Sequence, residues 1–263
     1  MTIDTDFHSH VARSSARQMA QAARDKGLRM LGMSEHIFQM TEARPTLQHL
    51  PDEGPTVPLA AYSDAVRSAA QEARIETRLG LEVDFIPGLN ERIQSFLPGY
   101  DWDFLIASVH EVDGIFFEDD SIADREKGEA RWLRYFALLR EAAACGVFSL
   151  VSHPVRMRAE NAFLPPTFDD ELEYLAAEAA RCDVALEING YDVLHYPGLV
   201  HRLARACALH HTPVSVGSDA HYPARVAQGH QLSEEILREA GIGEIRIWKQ
   251  MQPEVSRYTT TAP

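Results

Sequence analysis

The stretch DFHSH, at residues 6–10, is the first of seven short apolar runs that each end in histidine, a carboxylate or both. The other six are SEH (34–36), LEVD (81–84), SVH (108–110), SHP (152–154), EIN (187–189) and SDAH (218–221). A single HxH pattern is weak evidence, but its recurrence at the end of run after run is hard to explain by packing. Because side chains alternate along a strand, His8 and His10 fall on the same side.

Helical patterns separate these runs, at about 15–26, 58–75, 89–97, 126–145, 168–182, 196–211 and 231–241. Such alternation predicts parallel strands joined by right-handed crossovers. An α/β barrel of the TIM-like type uses about 250 residues as one unit. We therefore expect one barrel domain over residues 1–250 and a flexible tail over 251–263, with all seven run ends on the same rim.

Composition narrows the possible partners. The chain has 25 Lys and Arg against 39 Asp and Glu, a formal net charge of −14. Nucleic-acid grooves are built from clustered basic residues, so nucleic acid is not expected as the main partner. No window approaches the roughly 18 apolar residues of a membrane span. The surplus of acid fits either a solvated surface or a small substrate that carries positive charge.

The cysteines and the first residues of the chain indicate the cellular compartment in which the protein works. Cys145, Cys182 and Cys207 form an odd set without CxxC spacing, so neither a disulfide framework nor a zinc finger is predicted. The first run begins almost at Met1, without the basic start and apolar stretch of a secretory signal. We expect reduced thiols and a cytoplasmic protein.

The run ends supply six histidines and two acids at matching positions. For any one of them, a hydrogen-bonded structural role is the simpler interpretation. As a set they favour metal binding, because neutral imidazoles and carboxylates are the usual ligands of divalent transition metals. The candidate metal ligands are His8, His10, His36, Glu82, His110, His153, Asp219 and His221, with Glu82 as the carboxylate expected to bridge two ions.

Three long loops follow run ends, at 37–57, 111–125 and 154–167. Loops of this length are more often functional than merely connective. We expect the first to cover the site and the third to bring Arg156 close to it.

The motifs HSH, SEH, GLEVDFIPG, SVHEVDG, SHP, LEIN and GSDAH together resemble the PHP (polymerase and histidinol phosphatase) superfamily, and within it the monofunctional histidinol-phosphate phosphatases. They occur in family order over nearly the whole chain. The resemblance implies a distorted seven-stranded (β/α)7 barrel. It also implies two or three divalent ions, commonly Mn, Fe or Zn.

The resemblance further implies which residues hold each ion. The first ion would be held by His8, His10, Glu82 and Asp219, the second by Glu82, His110 and His153, and the third by His36 and His221. Members of this branch usually have a further His shortly after HxH, whereas this chain has VARSSA (11–16). A third site could therefore be weak, completed by water or empty.

The expected reaction is hydrolysis of a phosphate ester by a metal-bound hydroxide, with Glu82 and Asp219 holding the metals. Guanidinium groups make bidentate contacts to phosphate, so Arg156 and Arg13 are predicted to take part in catalysis and substrate binding. Arg13 could also stand in for the third ion. Asn189 is predicted to line the substrate pocket, and Glu187 is open between a site role and a structural one.

The leading function is a phosphomonoesterase that converts L-histidinol phosphate to L-histidinol and phosphate, in histidine biosynthesis. Its reaction class rests on the ligand pattern, and its substrate rests on the resemblance alone. The alternatives are another PHP phosphoesterase acting on nucleotides or sugar phosphates, a non-catalytic metal-binding module, and hydrolysis of a C–N bond. A small phosphorylated substrate is the expected partner, and no oligomeric state is predicted.

Overall fold

The computed structural model describes residues 2–51, 54–117 and 122–258. Its strands are β1 (Thr5–Asp6), β2 (Met30–His36), β3 (Glu76–Asp84), β4 (Phe104–Ser108), β5 (Glu111–Val112), β6 (Ile115–Phe116), β7 (Leu150–Val151), β8 (Ala185–Asn189), β9 (Val214–Gly217), β10 (Glu244–Lys249) and β11 (Gln252–Arg257). Seven of them form one parallel sheet in the order β1-β2-β3-β4-β7-β8-β9. These are the seven predicted runs, in the predicted order.

Backbone hydrogen bonds join the first and last strands of this sheet. Phe7 N donates to Val216 O at 3.0 Å, and His10 N donates to Ala220 O at 2.9 Å. Ser9 and Ala220 also form a parallel bridge. The sheet therefore curls into a nearly closed barrel, and the prediction of a distorted seven-stranded barrel is confirmed.

Eight helices are described: α1 (Ala16–Asp25), α2 (Leu59–Ala73), α3 (Asn90–Gln94), α4 (Arg125–Ala144), α5 (Phe168–Arg181), α6 (Gly190–His195), α7 (Pro197–His210) and α8 (His230–Glu239). Seven agree with the predicted segments to within a few residues. The short α6 was not predicted, because six residues directly after a strand are too few to show a helical period. None of the described helices is long and apolar enough to cross a membrane.

A separate apolar cluster fills the end of the barrel where the strands begin. It consists of Phe7, Met30, Phe104, Ile106, Leu150, Ala185, Ile247 and Trp248. Phe104 takes up so much room that a side chain at Gly80 would meet its ring at 2.3 Å. This end is therefore a packed core, and chemistry is confined to the opposite rim.

The structure differs from the flexible tail expected after residue 250. Gln252–Arg257 is strand β11, which pairs antiparallel with β10, and Tyr258 is buried. Trp248 O accepts a hydrogen bond from Arg78 Nε at 2.9 Å, and Met251 N donates to Asp103 O at 3.0 Å. The polar composition of this segment gave no sign of a strand, because the contacts are made by backbone atoms. Residues 259–263 lie outside the described residues.

Loop 37–57 at the ligand-bearing rim is tied together at its ends. The ends of loop 37–57 are joined where Val57 N donates to Gln39 O at 2.9 Å, and its Leu47 is buried. His49 Nε2 lies 2.8 Å from Glu111 Oε2, which connects this loop to β5. Parts of two predicted loops, residues 52–53 and 118–121, lie outside the described residues.

Candidate metal centre

Glu82, near the end of β3, is fully buried at the centre of the rim. Its Oε1 lies 3.1 Å from His153 Nε2 and 3.5 Å from His110 Nε2. Its Oε2 lies 2.7 Å from His36 Nδ1 and 3.3 Å from His8 Nε2. Each oxygen of one carboxylate thus faces a different group of imidazoles, which is the arrangement a bridging ligand requires.

Asp219 lies on the other side of the cluster, just after β9. Its Oδ1 is 3.1 Å from His10 Nε2 and 3.6 Å from His221 Nε2. The backbone of Asp219 has a φ of 56°, and that of His153 a φ of 30°. Left-handed backbone is uncommon for residues other than glycine and concentrates at functional sites. Two of the predicted ligands are thus held in strained conformations that point them into the rim.

Three sets of three side chains bring their ligand atoms within 4.8 Å of one another: His8, His10 and Glu82; His36, Glu82 and His110; and His10, His36 and His221. Together with Asp219 and His153, they include all eight predicted metal ligands. Within the described residues, the buried atoms His8 Nε2 and Glu82 Oε2 make no hydrogen bond. Buried polar atoms are normally satisfied, so these atoms and this donor set fit divalent transition-metal ions.

Carboxylates behind the rim fix two of the histidine rings. Glu187 Oε1 lies 2.7 Å from His8 Nδ1, and Asp84 Oδ1 lies 2.8 Å from His110 Nδ1. A carboxylate at Nδ1 keeps the hydrogen there and leaves Nε2 as the ligand atom. Glu187, left open by the sequence, therefore orients His8. Asp84 was missed, although its position two residues after Glu82 was the available signal.

Glu35 is a third buried carboxylate beside a histidine of the rim, and sequence reasoning also missed it. Its Oε1 lies 3.4 Å from His10 Nδ1, and its Oε2 accepts hydrogen bonds from Val11 N and Ala12 N, both at 2.6 Å. Burial alone would raise its pKa, but His10, His36 and these N–H groups hold the pKa of Glu35 down to about 2. The carboxylate therefore ties the shortened loop after HxH to the rim.

Charge inside the cluster is balanced between acids and imidazoles. Burial alone would raise the pKa of Glu82, yet His36 and His8 hold that pKa well below its usual range. For His153, burial and the neighbouring Arg156 lower the pKa to about 4. A neutral imidazole is the form that binds a metal, so His153 needs no deprotonation near neutral pH.

A pocket opens above the cluster. Its lining consists of His36, Phe38, His110, Phe116, His153, Arg156, Asp219 and His221. Arg156, predicted from its place after SHP, lies on the pocket wall. Its Nη2 donates to Asp219 Oδ2 at 2.7 Å and to Asn189 Oδ1 at 2.9 Å. Asn189 is not among the lining residues, and it contacts Arg156 instead.

Arg13 is not among these lining residues. It is exposed on the loop after HxH, and its Nη1 donates to the hydroxyl of Tyr222 at 3.3 Å. The guanidinium also lies 5.8 Å from the centroid of the Tyr222 ring. A role for Arg13 in phosphate binding stays a prediction.

Comparison with known proteins agrees with this geometry. The model of the PHP domain family matches residues 4–190. A probable histidinol-phosphatase of Deinococcus radiodurans is 30% identical over 262 residues, covering 92% of this chain and 95% of its own.

Two solved structures share the fold. The histidinol phosphate phosphatase of Lactococcus lactis, complexed with zinc, L-histidinol and phosphate, has a TM-score of 0.75 at 19% identity and covers 96% of this chain and 99% of its own. A chain of archaeal ribonuclease P with mature tRNA has a TM-score of 0.51 at 11% identity, covering 90% and 87% respectively. From the match over residues 4–190 and the 30% identical relative, the chain belongs to the PHP family.

Proposed function

We propose that this protein is a metal-dependent phosphomonoesterase that hydrolyses L-histidinol phosphate to L-histidinol and phosphate. One observation carries the reaction class: Glu82 lies between two groups of imidazoles, directly below a pocket whose wall includes Arg156. The substrate is supported by the relative from Deinococcus radiodurans and by the L-histidinol and phosphate bound to the Lactococcus lactis protein. A cytoplasmic location fits this proposal.

The proposed cofactors are two or three divalent ions, Mn, Fe or Zn. His8, His10, Glu82 and Asp219 would hold one ion, and Glu82, His110 and His153 a second. For a third, the described side chains offer His36 and His221, with His10 near both. When bound, such ions polarise a phosphate ester and lower the pKa of a water molecule towards neutrality.

The protein's own residues would bind and orient the ester. The guanidinium of Arg156 can donate to phosphate oxygens and offset their charge. Phe38 and Phe116 give the pocket aromatic walls, and the ring of Phe38 stacks on that of His36 with centroids 4.4 Å apart. Flat apolar walls suit the imidazole ring of the proposed substrate. Metal ligands and aromatic rings in the lining of one pocket would together set the direction of binding.

The test is phosphate release from a panel of esters. Histidinol phosphate, nucleoside monophosphates, sugar phosphates and p-nitrophenyl phosphate would be compared at equal enzyme and metal concentrations. The proposal expects histidinol phosphate to give the highest kcat/KM. Robust nucleotide or sugar-phosphate hydrolysis with inert histidinol phosphate would assign the protein to another phosphoesterase activity.

A further inference from the structure

Side chains of the short helix α6 contact Arg156 and restrict its position. Its Nε donates to Asp192 Oδ1 at 2.7 Å, and its guanidinium lies 4.6 Å from the centroid of the Tyr191 ring. Both side chains of the ion pair are buried, with 11% of Arg156 and 1% of Asp192 exposed. Burying two charges is costly, and a pair of this kind is weak evidence for a purely stabilising role.

The residue that precedes α6 also contacts Arg156. The Asn189 side chain caps α6, because its Oδ1 accepts hydrogen bonds from Tyr191 N at 2.9 Å and Asp192 N at 3.3 Å. The same oxygen accepts from Arg156 Nη2 at 2.9 Å. One amide therefore fixes the position of the helix and of the arginine together.

The ring of Tyr191 is itself supported from behind. His195 stacks on it with ring centroids 3.9 Å apart, and His195 Nδ1 lies 2.7 Å from Tyr191 O. This support keeps the tyrosine face against the guanidinium, where a cation is attracted to an aromatic ring. Four residues of one segment thus restrict Arg156: Asn189, Tyr191, Asp192 and His195.

These contacts leave one nitrogen of the Arg156 guanidinium available for another partner. Nε and Nη2 are occupied, while Nη1 makes no hydrogen bond within the described part of the chain. Arg156 also lines the pocket beside His153 and Asp219. Arg156 is therefore held through Nε and Nη2, in the wall of a pocket that metal ligands also line, before any ligand arrives.

We propose that Asp192 is a positioning residue that holds Arg156 in the orientation that receives the phosphate group, with Tyr191 completing the hold. The inference rests on the proposed function in taking phosphate as the ligand, but it does not depend on which alcohol the phosphate esterifies. Without Asp192, the guanidinium would keep its contact to Asp219 and lose the contact that fixes its tilt. Misplacing a binding group by about 1 Å can cost on the order of 100-fold in rate.

The test compares Asp192→Ala, Asp192→Asn and Tyr191→Leu in the metal-loaded full-length protein. Inorganic phosphate is the probe, and its affinity is measured by calorimetry and as a competitive inhibition constant. Metal content and melting temperature are measured on the same samples. Asp169→Asn is the matched control, because Asp169 also pairs with an arginine Nε, that of Arg202 at 2.5 Å, but lies exposed at the start of α5.

We expect Asp192→Ala to weaken phosphate binding and raise KM by about 10- to 100-fold at unchanged metal content. Asp192→Asn keeps an oxygen acceptor for Nε and should recover most of this loss, and Tyr191→Leu should show a smaller loss. If Asp192→Ala does not fold, Tyr191→Leu still decides the question, because the inference requires it to lose phosphate affinity at unchanged metal content and an unchanged affinity would overturn it.

Two outcomes would overturn the inference. One is an unchanged phosphate affinity in loaded Asp192→Ala, and the other is a loss of metal and melting temperature without any change in affinity per loaded site. The proposed function fails differently: wild-type protein would bind phosphate and hydrolyse p-nitrophenyl phosphate yet leave histidinol phosphate intact.

Discussion

Glu187 Oε1 lies 2.7 Å from Nδ1 of His8, and both side chains are completely buried. The backbone of Gly217 passes so close to the pair that a Cβ there would lie 2.3 Å from His8 Cβ and 2.5 Å from Glu187 Oε1. Three strand ends therefore fix one imidazole: β1 carries it, β8 orients it and β9 leaves it room. His8 Nε2 has a single direction to face, towards Glu82.

Replacing Glu187 should weaken metal binding without removing a ligand. Glu187→Gln loses the negative charge behind His8 and disturbs the hydrogen bond from His153 N, 2.8 Å away. Loss of such a partner typically costs 10- to 100-fold in metal affinity. Competition with a coloured chelator measures the change. Glu178→Gln, which removes a carboxylate paired with Arg181 on α5, should leave the affinity unchanged.

Adding one methyl group at Gly217 should displace two side chains of the metal site. Gly217→Ala forces His8 and Glu187 apart, and overpacking of this kind costs about 1–3 kcal/mol. We expect lower metal content and a lower melting temperature. Gly198→Ala is the control, because among the described residues no atom outside its own stretch of α7 lies within 4 Å of a Cβ placed at that position. Equal behaviour of the two variants would contradict the crowding at Gly217.

The stability of the metal-free protein should depend on Glu35 at low pH. The pKa of this carboxyl is lowered from 4.5 to about 2, so its contribution is complete above pH 4.5 and is lost as the pH falls towards 2. At 1.36 kcal/mol per pKa unit, the contribution is on the order of 3 kcal/mol. The difference in unfolding free energy between wild type and Glu35→Gln should narrow as the pH falls from 6. A constant difference would contradict the assignment.

The hairpin of β10 and β11 should stabilise the barrel without affecting the metal ligands. Trp248 is 2% exposed and packs against Phe7 with ring centroids 5.7 Å apart. Trp248→Ala should cost about 3–5 kcal/mol in denaturant unfolding. Metal content in the folded variant should stay that of wild type. Val255→Ala, at a position 54% exposed in the same hairpin, should have little effect on stability.

Much of the fold was predictable because each of the seven ligand-bearing runs combines two signals. An apolar run of about five residues marks a buried strand, and a ligand at its end marks the rim of a parallel barrel. His8, His10, Glu82 and Asp219 could be placed in this way, since the ends of parallel strands converge on one face. The structure brings them together at 3.1 to 3.7 Å.

Two of the missed residues act on partners that lie on another strand or far along the chain. Glu35 faces His10 from the neighbouring strand, and Asp192 holds Arg156 from 36 residues along the chain. The strand β11 has a polar sequence, and its pairing depends on backbone hydrogen bonds that any residue type except proline can donate. These contacts form only when the barrel closes. The sequence predicts that a barrel forms, but it does not predict the individual contacts that closure creates.

The most direct test of a metal-dependent histidinol-phosphate phosphatase is the rate of phosphate release from histidinol phosphate as metal is removed and restored. We expect chelator treatment to abolish the activity, Mn or Zn to restore it to the wild-type protein, and Glu82→Gln to regain none of it. Activity that persists in protein shown to be free of metal, or that survives in Glu82→Gln, would rule out a metal-dependent reaction at this site.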